Sequence, residues 1–102
     1  MTEATDVDLL LEEIDPGIRH EVAILRGAGV ETFESCQGGE GHCFPEPTVR
    51  FHGGHVAGFH AYAAAMQRGL KVSRLRRSWS VIDGELSGPW WEMTFRQEPS
   101  GC

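Results

Sequence analysis

Between residues 34 and 47 the chain reads Glu-Ser-Cys-Gln-Gly-Gly-Glu-Gly-His-Cys-Phe-Pro-Glu-Pro. A hydroxyl, two thiols, an amide, an imidazole and three glycines thus fall within one short run. Glycines let backbone N–H groups turn toward an anion with no Cβ in the way. Ser35, Gln37 and His42 place hydrogen-bonding side chains around Gly38 and Gly39, so the run predicts a site for a small anion. It is not a Walker A loop, because no Gly-Lys-Ser/Thr follows. Nor is it a dinucleotide fingerprint, since a strand rather than a helix is expected next. The plainer alternative is a long hairpin loop whose glycines only turn the chain, although loops of this length are less often idle.

The same run raises catalysis and metal binding. Cys36 with a histidine base would make a nucleophile, but no third, orienting residue is evident. Structural zinc takes four ligands, usually paired at spacings of two to four residues. Cys36 and Cys43 are too far apart for such a pair, and only His52 and His55 have a familiar gap. Glu40 and Glu46 lie in a loop that gives no acid/base geometry. The sequence therefore predicts binding without a metal or cofactor. An enzyme acting through Cys36, His42 or a bound metal is the alternative.

A second constellation is basic and aromatic. Arg68, Lys71, Arg74, Arg76 and Arg77 are followed by Trp79, Trp90 and Trp91. Arginine grips phosphate bidentately and tryptophan stacks on a base, a combination that suits a nucleotide. Arg50, on the strand that leaves the glycine run, would join the two constellations, with Arg74, Arg77, Trp79 and Trp90 completing the site. The alternatives are that the tryptophans form core or subunit interface and that the arginines protect a sheet edge.

These residues need elements to hold them. An acidic arm is expected over 1–14, a domain over 15–96 and a loose tail over 97–102. Asp15-Pro16 reads as an N-cap followed by a first-turn proline, with Ile18, Val22 and Leu25 on the apolar face. Gly27 and Gly29 end that helix. Strands follow at 30–35 and 48–52, the second with Val49 and Phe51 on one face and Arg50 and His52 on the other. A second helix runs from about His55 to Arg68, with Val56, Phe59, Ala63, Met66 and Leu70 as its apolar stripe. Strands at 71–82 and 90–96 flank an Asp83-Gly84 turn. Leu25-Arg26-Gly27 before Val30 echoes Gln67-Arg68-Gly69 before Val72. The resulting fold class is α+β, in the order α-β-β-α-β-β: a four-stranded, mostly antiparallel sheet with two helices on one face.

Charge is distributed unevenly. Residues 1–49 hold eleven acids and two bases, and residues 50–96 hold seven bases and three acids. The net charge of −6 disfavours general nucleic-acid binding, while the basic part suits a small anion. The acidic and basic parts would otherwise meet in a dimer or remain solvated. No apolar run approaches the ~20 residues of a membrane helix. The acidic N-terminus does not resemble a signal peptide, and three cysteines are few and odd for a disulfide scaffold, so the chain reads as cytoplasmic. A chain of 102 residues builds a thin core, which predicts self-association into at least a dimer.

The segments from Gly29 to Gly39, Pro45 to Phe51, Val81 to Gly84 and Gly88 to Trp91 resemble a group of small uncharacterised phage and bacterial proteins. Small phage proteins of this size and composition include oligomeric sponges that sequester nucleotide immune signals, such as cyclic ADP-ribose variants or cyclic dinucleotides. The resemblance implies a non-enzymatic anti-defence protein working in the host cytoplasm, and it assigns no residue a role. A third expectation is an interaction module whose tryptophan hairpin docks on a host protein.

Overall fold

Proline and glycine punctuate this chain where its elements begin and end. The computed structural model describes residues 14–39, 41 and 45–96. The acidic arm up to residue 13, Glu40, His42, Cys43 and the tail from 97 lie outside the described residues. Helix α1 spans Arg19–Gly27, β1 Glu31–Cys36, β2 Thr48–His52, α2 His55–Gln67, β3 Val72–Ile82 and β4 Glu85–Phe95. The α-β-β-α-β-β order and the α+β class match the sequence reading. The four strands are all antiparallel, in the order β1-β2-β4-β3.

Ile18, Val22 and Leu25 are fully buried, as their spacing predicts. The start of α1 differs from expectation. Asp15 does not cap the helix, which begins after a turn closed by the Ile18 N–H on the Asp15 carbonyl at 3.1 Å. The Asp15 carboxylate instead accepts the Gln37 N–H at 3.2 Å, so its capping capacity is spent on the glycine run. The glycine run and the chain entry are thereby tied together.

Helix α2 departs from its expected facing. Its buried positions are Gly58, Ala61 and Ala65, while Val56, Phe59 and Met66 face outward and Ala63 is exposed. The reason is the Trp91 ring beneath the helix: a Cβ on Gly58 would lie 2.5 Å from it. Small residues let the backbone settle on the indole, and the Trp91 Nε1 donates to the Gly54 carbonyl at 2.9 Å. The bulky stripe is then on the far side.

Strands β3 and β4 form a hairpin closed by Asp83-Gly84, both with positive φ, as a two-residue hairpin turn requires. β4 starts at Glu85, earlier than the expected 90, so the hairpin is longer than predicted. β2 pairs only with Trp91 to Thr94, and residues beyond Ser78 and Trp90 therefore project as a two-stranded arm.

The internal echo is a structural repeat. The Gly29 N–H bonds the Arg26 carbonyl and the Val30 N–H bonds Leu25; forty residues on, Gly69 bonds Met66 and Leu70 bonds Ala65. Both are helix C-caps with a left-handed glycine, φ +90° and +76°. The equivalent glycine is thus Gly29, two residues later than the sequence echo suggests. Each helix leads into a hairpin, and the second strands of the two units pair at the centre. The core lies between the helices and one sheet face, built from Val49, Phe51, Trp91, Met93 and Phe95 against α1 and α2.

Candidate functional site

The sheet face away from the helices carries the polar chemistry. Alternation on β2 and β4 points Val49, Phe51, Trp91 and Met93 into the core and Thr48, Arg50, Trp90, Glu92 and Thr94 the other way. A register shift between Thr32 and Glu34 marks a bulge in β1. It lets consecutive residues Phe33 and Glu34 both meet partners on this face.

Glu92 sits at the centre, only 2% exposed. One of its oxygens accepts Arg50 Nε at 2.9 Å and the other accepts Arg76 Nε at 2.7 Å. Burial pushes the Glu92 pKa up, but the two guanidinium hydrogen bonds and charges outweigh it, and the carboxyl is held below its ordinary value. Arg50 also reaches Glu34 at 3.0 Å, and Arg74 pairs with Glu46 at 3.3 Å. The acidic and basic parts of the sequence therefore meet within one chain. Beside this network, Phe33 stacks on His52 with ring centroids 4.2 Å apart and meets Trp90 edge-on at 6.1 Å. The Arg50 guanidinium lies 5.6 Å over the Trp90 ring, bridging the ionic and aromatic groups. Pro45, Glu46, Thr48, Arg74, Arg76, Glu92 and Thr94 line a shallow depression of about 280 Å³.

Of the residues singled out in the sequence, Arg50, Arg74 and Trp90 come together here. The glycine run behaves differently. The Gly38 N–H faces Cys36 Sγ at 3.5 Å, and the Gly39 N–H donates to the Pro45 carbonyl at 3.0 Å. A Cβ on Gly38, φ +82°, would lie 2.5 Å from the Glu46 carbonyl carbon, so this glycine is required by the neck of the loop. Gln37 Oε1 accepts the Gly17 N–H at 2.8 Å. These donors and acceptors close the loop on itself and on the start of the domain. Ser35 lies opposite the core residue Val49. Arg77 is on the helix-covered side, 5.3 Å over the Trp91 ring, and does not share a face with Arg50. Trp79 is on the projecting arm, 54% exposed. Cys36 is buried.

Arg76, a member of the basic constellation, joins Arg50, Arg74 and Trp90; Glu92 and Phe33, which the sequence did not single out, and His52, raised there only for metal, complete the site. The signal for Glu92 was present: an acid between apolar residues in Trp-Trp-Glu-Met-Thr-Phe must face away from the core. Its partners required the β2–β4 register. Among the described residues there is no group of three or more His, Cys, Asp or Glu placed to hold a metal ion. Among them, too, no helix is long and apolar enough to cross a membrane. In comparisons with protein-family models, curated proteins and solved structures, none matches this chain.

Proposed function

We propose that this chain binds a small anionic, nucleotide-like molecule on the open sheet face and holds it without turnover. The observation that carries this reading is Glu92, buried between Arg50 and Arg76 beside the Phe33–His52–Trp90 aromatic group. A buried carboxylate holding each Nε fixes two guanidinium planes before any ligand arrives, which lowers the ordering cost of binding. Phosphate would lie over Arg74 and Arg76, and the base would sit near Trp90. Glu46 pairs with Arg74 at that position. Its pair with Arg74 is about half exposed on both sides. Such a pair is worth about 0–1 kcal/mol, so phosphate displaces it at little cost. Cys36, one candidate nucleophile of the sequence, is buried with its sulfur against the Gly38 N–H, which favours holding over a reaction at that thiol. Sequestration is also what the resemblance to small phage proteins implies.

The test is titration with AMP, ADP-ribose and cyclic di-AMP, followed by isothermal calorimetry and recovery of the ligand for mass spectrometry. At least one should bind and return intact. Arg74→Ala and Arg76→Ala should each weaken binding by roughly ten- to a hundredfold, the value of a charge-assisted hydrogen bond. Arg77→Ala should leave it unchanged. Folded Arg74 and Arg76 variants with full affinity would move the site elsewhere, and conversion of the ligand at substoichiometric protein would make the chain an enzyme.

A further inference from the structure

Between His52 and Arg68 the chain has no Asp, Glu, Lys or Arg. The outward side of α2 sets Val56, Phe59, Tyr62 and Met66 among His55, His60 and Gln67, so large apolar side chains face out with no Asp, Glu, Lys or Arg among them. The inner side of α2 is covered by Trp91 and the core, through Gly58, Ala61 and Ala65. Its outer side leaves Val56 71%, Phe59 57%, Tyr62 43% and Met66 49% exposed. We propose that a second copy of this chain covers that side, through an antiparallel α2–α2 contact about a two-fold axis.

The pattern on the helix is self-complementary. A two-fold contact requires that if one residue meets another, the reverse also holds. Antiparallel pairing centred on Ala61 sets Val56 of one copy against Met66 of the other, and Phe59 against Ala63. A large side chain thus meets a small one, and a medium one meets a flexible one. A charged residue near such an axis would meet its own copy, and α2 carries none.

The projecting arm extends the same surface. Leu75 and Arg77 of β3 lie on the helix side, paired with Met93 and Trp91. The ladder shifts register between Ser78 and Ser80, and beyond the shift Val81 pairs with Leu86, so the arm carries Trp79, Val81 and Leu86 as exposed apolar side chains. These three are 54%, 69% and 73% exposed. The Trp91 indole lies under the first turns of α2, so the arm runs on past the helix N-terminus. In an antiparallel pair it reaches the α2 C-terminal end of the other copy. Seven large apolar side chains across the two patches are each 43% exposed or more. Isolated monomers seldom leave so much apolar surface in the open.

Sedimentation equilibrium of the full chain at micromolar concentration tests this. The expected mass is twice 11.3 kDa. Tyr62→Glu with Met66→Glu should weaken self-association by about a hundredfold or more, because a charge at 66 would be buried against Val56 of the other copy and one at 62, beside the axis, would lie close to its own equivalent. Wild-type protein supplies a second reading that no folding failure can obscure. On dilution, amide exchange should rise across 55–67 and 79–88 and stay constant in β1. A wild-type monomer overturns the proposal, whether residues 1–13 or a different protein covers α2. So does a trimer, or a dimer that persists in the folded double variant, or exchange that changes elsewhere.

Discussion

Glu92 is the residue on which the open face depends. Its carboxyl is held below the ordinary value of 4.5 in the folded chain, so it binds protons less readily folded than unfolded. Stability from this group is therefore complete above about pH 4.5 and drains away as pH falls through the folded value. Glu92→Gln keeps the shape and removes the charge. At pH 7 it should lower unfolding stability by about 1–3 kcal/mol, since each guanidinium loses an ionic partner. The gap should narrow in urea titrations at pH 3.5. An equal gap at both values would mean that the ionised carboxylate is not what the arginines recognise. Arg50 and Arg74 were legible in the sequence as residues that face away from the core: Arg50 alternates with Val49 and Phe51 on β2, and Arg74 shares one phase of β3 with Arg76. The carboxylates opposite them were not, because Glu34, Glu46 and Glu92 come from three distant parts of the chain.

At the scale of elements, boundaries were read more accurately than facing. β2 falls where its alternation placed it, and α2 ends beside Gly69 as expected. Which side of α2 is buried was misread, because bulk was taken as the mark of a core face. Close approach to Trp91 instead selects Gly58 and the alanines, and only the tertiary contact reveals that. Two glycines make the point measurable. Gly58→Ala drives a Cβ against the Trp91 ring and should destabilise by about 1–3 kcal/mol. Gly27→Ala, in a helix with nothing within 4 Å of the new Cβ, should stabilise by up to about 1 kcal/mol. Thermal melts of the two variants moving in the same direction would refute this account of α2. In the glycine run, positive-φ residues suit a tight loop neck as well as an anion, and Gly38 serves the neck.

For the whole molecule, the uneven charge of the sequence and its repeat belong together. The acid-rich first αββ unit and the base-rich second one are joined across the β2–β4 seam, where Arg50 of the first unit meets Glu92 of the second. The proposed binding on one sheet face and the proposed self-association through the other side would leave both surfaces usable at once. A dimer would thus carry two ligand sites facing away from each other, and calorimetry should return one ligand per chain. The seam has a further consequence for how the chain is built. Only four residue pairs, from Thr48↔Thr94 to Phe51↔Trp91, close it, and the link between the units passes through Gly53 and Gly54. Each unit is an unfinished two-stranded sheet whose missing neighbour is the second strand of the other unit. Polypeptides cut at that link, 1–53 and 54–102, should recombine into the native sheet when mixed, with return of the native circular dichroism spectrum as the measure.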